Sequence, residues 1–215
     1  MILIPVKILS NAKQRLSPLL DAAARAELAR TMLSDVLHTA AQFGGDDASI
    51  VTSDSFAIDL AHEHGFQIIR DDMNLSESDA IAMATEMCVA RGVASTLVIP
   101  GDIPLIEAED LRLIYEAAPA IGSVLVPSND KRGSNAVLRR GADLFPLRFG
   151  NDSFMPHLSP AIATNTTCVL LSLPRIGLDI DEPRDLMQLA AAPGDKSSQV
   201  LARKFARDAR ALYAQ

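Results

Sequence analysis

Three aspartates stand at points in the chain where a fold could bring them to one cation. In STLVIPGDIPL (95–105) an apolar run delivers Gly101 and then Asp102, and Pro104 stiffens the way out. Gly101 is expected to let the backbone turn there. Asp179 and Asp181 lie two apart in LDIDEPRDL (178–186), a spacing that on extended backbone points both carboxylates to one face. Carboxylates carried by rigid strand ends suit magnesium, which takes one or two of them together with phosphate oxygens and water. Such an ion would neutralise a phosphate chain under attack. Each aspartate also has a plainer use. Asp102 fits a cap on the turn or helix that follows, and Asp181-Glu182-Pro183 fits a helix start with proline in its first turn.

Basic residues face this acidic set. The first apolar run leads into PVKILSNAKQRLSP (5–18), a loop carrying Lys7, Lys13 and Arg15. Side chains of this kind hold nucleotide phosphates and stabilise charge on a departing pyrophosphate. A second basic stretch holds KRGSNAVL (131–138) and RFGNDSFMPH (148–157), which set Gly133 beside Ser134 and Gly150 close to Ser153. Amides and hydroxyls next to arginines make a cradle for an oxyanion, and the same residues make ordinary turns. His157 reads as structural, and His62 and His64 have no nearby carboxylate or thiolate partner that would make a metal site. There is no Gly-x-x-x-x-Gly-Lys-Ser/Thr loop, no Gly-x-Gly-x-x-Gly after the first strand and no Gly-x-Ser-x-Gly. P-loop, dehydrogenase-type and serine-hydrolase chemistry are therefore disfavoured.

The whole chain sets the frame for these residues. Its 215 residues are 48% hydrophobic and 22% charged, the composition of one globular domain. A net charge of −7 argues against a nucleic-acid surface. Two basic islands stand out, at 1–30 and 131–148, where a few cations suffice for a small polyanion. No apolar run approaches the roughly 18 residues of a membrane span. MILIPVKILS is too short and too soon broken by Pro5 and Lys7 for a secretory signal. Two cysteines 80 positions apart make neither a disulfide framework nor a thiolate site. A soluble, cytoplasmic protein is expected, with no nucleic-acid or membrane partner, and the sequence leaves a homodimer open.

Apolar runs alternate with helical patterns. Strands are expected at 2–6, 49–53, 66–70, 95–100, 123–127 and 135–139, with a short one from 178 running into a helix to 190. Helices are expected at 21–43, 56–64, 76–91, 107–118 and about 196–214, the last placing Leu201, Phe205 and Leu212 on one face. Strands joined by helices of this length imply right-handed crossovers and a Rossmann-like, three-layer α/β/α domain on a mostly parallel sheet. Residues 128–177 interrupt the rhythm and are expected to form an insertion over the strand ends, within a single domain spanning 1–215. Ligands of such sheets bind beyond the carboxyl ends of the strands.

Five segments occur in a fixed order: PVK…AKQRL (5–16), PGDIPL (100–105), RGSNAVL (132–138), FGNDSF (149–154) and LDIDEPRDL (178–186). This ordered set resembles the CofC/FbiD family, guanylyltransferases that activate a small phosphorylated acid during biosynthesis of a deazaflavin coenzyme. The resemblance covers about residues 2–192. It implies the nucleotidyltransferase fold of the nucleotide-diphospho-sugar transferases, and GMP transfer from GTP to 2-phospholactate, phosphoenolpyruvate or 3-phosphoglycerate with release of pyrophosphate. It further implies Mg2+ on Asp102, Asp179 and Asp181, and the phosphoacid at Ser134, Gly150 and Ser153. Lys7, Lys13, Arg15 and Asn74 would bind the nucleotide, with Lys13, Arg15 and Asp102 serving the chemistry. Two features depart from the family pattern: Ser134 stands where threonine is frequent, and DDMNLSESDAIAMA (71–84) replaces a Gly-Leu-Asn stretch. A molybdopterin or sugar-phosphate nucleotidyltransferase of the same fold, and a non-catalytic nucleotide-binding protein, are the competing readings.

Overall fold

Runs of isoleucine, leucine and valine too short for helices become seven strands of one sheet. A computed structural model describes residues 1–44, 47–73 and 75–213, with side chains as far as Ala209. The strands are β1 (Ile2–Val6), β2 (Ala48–Thr52), β3 (Gln67–Arg70), β4 (Ser95–Val98), β5 (Gly122–Pro127), β6 (Ser134–Arg140) and β7 (Thr167–Leu170), in the order β3-β2-β1-β4-β6-β5-β7. All neighbours run parallel except β6, which is antiparallel to both β4 and β5. The helices are α1 (Ala22–Gly44), α2 (Ser55–Glu63), α3 (Glu77–Ala90), α4 (Ala108–Ala117), α5 (Phe154–Ala163), α6 (Pro183–Ala191) and α7 (Ser197–Tyr213). None of the described helices is long and apolar enough to cross a membrane.

The two-residue period of the strands sorts the core into layers. Ile2, Ile4 and Val6 of β1 face Leu33, Val36 and Leu37 of α1, with α2 and α4 beside them. Leu3 faces the other way, onto Ile81 and Ala84 of α3 and Ala161 of α5. A third cluster packs α6 and α7 against α1 through Leu28, Met32, Leu186, Leu189 and Phe205, and closes the domain. Each buried leucine or isoleucine contributes about 1.5–3 kcal/mol, so the sheet's position is set by its apolar faces rather than by its loops.

Three expectations are corrected. Residues 128–177 are no insertion, since they supply β6, which lies between β4 and β5, and β7 on the edge. α5 was masked by Pro156 and Pro160, the second of which lies inside the helix, and β7 by its half-exposed TCVL sequence. Residues 178–182 join no strand; only the Ile180 N–H reaches β4's exit, donating to the Asp102 carbonyl at 3.2 Å.

Most helix starts are fastened by their own side chains. Asp21 accepts from the Ala24 N–H, Asp54 from Ala57 and Ser76 from Asp79. At α4 the Glu107 N–H donates to Asp110 Oδ2 at 2.9 Å, and the same carboxylate takes Arg175 in a two-pronged bond at 2.8 Å on each prong. Asp110 is 2% exposed and so ties α4 to the loop that leads into residues 177–181. Replacing Asp110 by Ala is expected to cost about 1–3 kcal/mol, from the lost cap and the lost pair. Urea unfolding of the variant checks this.

Candidate active site

The loop after β1 is held in an unusual shape. Asp54 Oδ2 accepts from the Leu9 N–H at 2.9 Å and Thr52 Oγ1 donates to the Val6 carbonyl at 2.7 Å, so the end of β2 fastens the start of the loop. Two single turns of 3-10 helix follow, and between them Lys13 takes a left-handed conformation with φ 57°. A non-glycine residue adopts this only where its surroundings impose it. The result is a lysine aimed back across the sheet. Its Nζ lies 2.5 Å from Asp102 Oδ2 and 2.9 Å from Asp181 Oδ1, and its side chain is 8% exposed.

Neither aspartate is a helix cap, because other residues do that work. Glu107 and Asp110 begin α4, and the Glu182 N–H opening α6 donates to Asp185 Oδ2 at 2.7 Å. Asp181 is thereby left free for Lys13 and for Arg15, whose guanidinium stands 3.7 Å away. The backbone does turn at Gly101 and Asp102, as expected, but the φ of Gly101 is not positive, so the turn does not call on glycine's left-handed freedom. Gly101 makes room for α1, since a Cβ there would meet Leu33 Cδ1 at 3.0 Å.

Lys13 and Asp102 line one compartment, and Arg15 and Asp181 line a second. The first is a cavity of about 190 Å³ with a largely apolar wall, including Val6, Leu9 and Val51, that also holds Lys7, Asp71 and Glu77. The second is a cleft of about 480 Å³, lined by Arg15, Arg132 and Arg184 together with Gly133, Gly150, Asn151, Asp179 and Asp181. Arg15 donates to Asn151 Oδ1 at 2.7 Å, which joins the loop after β1 to the loop before α5.

The charges explain one another. Burial works against the Lys13 ammonium, but Asp102 and then Asp181 outweigh it and hold the group protonated well above the ordinary lysine value. Burial acts against the Asp181 carboxylate too, and Lys13 outweighs it, so its pKa falls. Asp179 is pushed up to about 6 by burial and then by the charge of Asp102, although Asn135 donates to it at 3.0 Å. Burial and Asp102 likewise push Glu77 up to about 7.

The sequence-derived residues are thus gathered, with two differences. Asp102, Asp181, Lys13 and Arg15 form one connected group, while Asp179 is turned onto Asn135. Among the described residues no three or more His, Cys, Asp and Glu side chains are arranged to hold a metal by themselves. Ser134 and Ser153, 4% and 3% exposed, lie behind the cleft wall, with the Ser134 N–H donating to Ser153 Oγ at 3.0 Å. The Ser134 hydroxyl is buried without a hydrogen-bond partner among the described residues. Gly133 and Gly150 are on the wall itself. Lys7 pairs with Asp71 at 3.5 Å, away from Arg15. Asn74 lies outside the described residues. Sequence reasoning missed Asp54, Asp71, Asn135, Asn151 and Arg184, of which only Asp71 carried a signal, as an acid directly after a strand. Glu77 belongs to the 71–84 stretch that departs from the family pattern, and it lines the cavity.

His157 is structural, as expected. It is fully buried against Phe149, and its Nε2 accepts from the Arg148 N–H at 2.9 Å, holding the loop that carries Gly150 and Asn151. Burial, and then the charge of Arg139, push its pKa down to about 4, so the ring is neutral.

A parallel-dominated sheet with acids at its strand ends, a basic loop after β1 and two adjoining compartments defines a nucleotidyltransferase-like α/β fold. A Desulfovibrio desulfuricans G20 protein assigned as a nucleotide-diphospho-sugar transferase shares this fold, with a TM-score of 0.78 over 97% of this chain and 96% of that one at 18% identity. The sequence goes further than the fold. Residues 1–210 match the family described as guanylyl transferase CofC like, and the chain belongs to that family. It is 35% identical over 204 residues to a phosphoenolpyruvate guanylyltransferase of Roseiflexus castenholzii, covering 94% of this chain and 93% of that protein. It is 32% identical over 193 residues to a 3-phospho-D-glycerate guanylyltransferase of Colwellia psychrerythraea, covering 88% and 90%.

The depressed His157 pKa has a measurable consequence. Between the ordinary value of 6.5 and about 4 the folded chain binds fewer protons here than the unfolded chain. Its contribution to stability is present above 6.5, declines as pH falls through that window and levels off below it. The size is about 2–3 kcal/mol. His157→Gln is expected to flatten stability against pH between 6.5 and 4, read from urea midpoints; an unchanged slope would assign the effect elsewhere.

Proposed function

We propose that this protein transfers GMP from GTP to a three-carbon phosphoacid, as a step in making a deazaflavin coenzyme. The observation that carries the reading is the Lys13 bridge between Asp102 and Asp181, set where an apolar cavity meets an arginine-lined cleft. The nucleotide would take the cavity, which offers apolar contact with a few charged groups. The phosphoacid would take the cleft. Its phosphate oxygen attacks the α-phosphorus of GTP, a new P–O bond forms, and the bond to pyrophosphate breaks. This nucleophile is already anionic, so no general base is needed, and positioning with charge stabilisation suffices.

Lys13 and Arg15 would receive the nucleotide's phosphates and hold charge on the departing pyrophosphate, with Lys7 beside Asp71 at another part of the nucleotide. Gly150 would present backbone to the phosphoacid, with Ser134 and Ser153 behind it holding the wall through the bond from the Ser134 N–H to Ser153 Oγ. The residues also fit magnesium once phosphate oxygens complete the set. Asp102 and Asp181 already share one cation, the Lys13 ammonium. Asp102, Asp181 and Asp179 are the groups that would hold the ion, which supplies charge neutralisation for the phosphates.

Pyrophosphate release should therefore appear with GTP, magnesium and one of 2-phospholactate, phosphoenolpyruvate or 3-phosphoglycerate. Release with sugar phosphates alone, or GTP binding without turnover, would overturn the proposal. Asp102→Asn is expected to lower kcat by about 10²–10³ with little change in thermal midpoint.

A further inference from the structure

The apolar cavity contains a carboxylate that neither the phosphates nor the phosphoacid requires. Asp71 follows β3 directly and is 6% exposed. It lines the cavity with Val6, Val51 and Ala80, and Lys7 Nζ lies 3.5 Å from its Oδ2. Its N–H donates to the Thr52 carbonyl at 3.3 Å, so the ends of β1, β2 and β3 together position the pair. The place of Asp71 relative to the phosphate end is telling. β3 is three strands from β4, which at the usual spacing puts the strand ends roughly 14 Å apart. A nucleotide whose phosphates lie at Lys13 and Asp102 reaches Asp71 with its other end.

We propose that Asp71, seconded by Lys7, reads the base of the nucleotide. An ionised carboxylate only accepts hydrogen bonds, and guanine is the purine whose pairing edge presents two adjacent donors, N1–H and the 2-amino group. The Lys7 ammonium donates to the neighbouring O6 acceptor. Adenine presents an acceptor at N1, which the carboxylate repels. This assignment rests on the guanylyl-transfer reading and adds to it the group that selects the base.

Nucleotide analogues test it in the unaltered protein. With the preferred phosphoacid, kcat/KM for GTP should exceed that for ITP, which lacks the 2-amino group, by about 10–100-fold. ATP should be worse than GTP by about 10⁴-fold. Equal use of GTP and ITP would overturn the assignment, and this arm needs no variant to fold. Asp71→Asn supplies the converse. Its amide donates to the 2-carbonyl of xanthine, so GTP should fall by at least about 100-fold while XTP improves by 10-fold or more. Parallel loss with GTP and XTP would make Asp71 structural. A change confined to the ratio of GTP to 2′-deoxy-GTP would make it a ribose contact. A protein that turns over no nucleotide with any phosphoacid sinks the transfer reading itself; GTP against XTP binding by both forms would then judge the base assignment separately.

Discussion

One ammonium between two carboxylates organises this molecule. Lys13 reaches Asp102 across 89 residues of sequence and Asp181 across 168, and so joins the ends of the first and fourth strands to the approach to α6. The pairs add little to stability, since Asp102 and Asp181 are 28% and 41% exposed and water screens them. Their value is positional. Two like charges that would repel are held at one place by the lysine between them.

Much of the surrounding structure serves that arrangement indirectly. Asp110 and Asp185 begin α4 and α6, which releases Asp102 and Asp181 from capping. Asp54 and Thr52 tie down the start of the loop after β1, in which Lys13 then takes its left-handed conformation. Asn135 of β6 donates both to Asp179 and to the Ile176 carbonyl, and Asn129 donates its N–H to Gly177. A Cβ at Gly177 would collide with the Asn129 side-chain amide, so a larger residue there requires that side chain to move.

The two compartments divide the chemistry by polarity. The wall around Lys7, Asp71 and Glu77 is largely apolar, and low local polarity strengthens the few polar contacts it surrounds. The cleft is the opposite, with three arginines each already engaged: Arg15 by Asn151 and Asp181, Arg132 by Asp152, and Arg184 by Glu182 and Asp185. Any anion that enters the cleft must compete with these carboxylates for the guanidiniums.

Periodicity in the chain was enough to reveal the layered α/β plan and most helix and strand positions, and the ordered motifs, through their family resemblance, singled out Asp102, Asp181, Lys13 and Arg15. Those features rest on local pattern, which survives in the linear order of residues. Other features could be read only from the folded molecule. β6 between β4 and β5, the turning of Asp179 onto Asn135, the withdrawal of Ser134 and Ser153 behind the wall, and the Lys7–Asp71 pair all arise between residues distant in sequence. Such contacts are chosen by the competition of whole apolar faces for burial, and no short window of sequence records which distant partner wins.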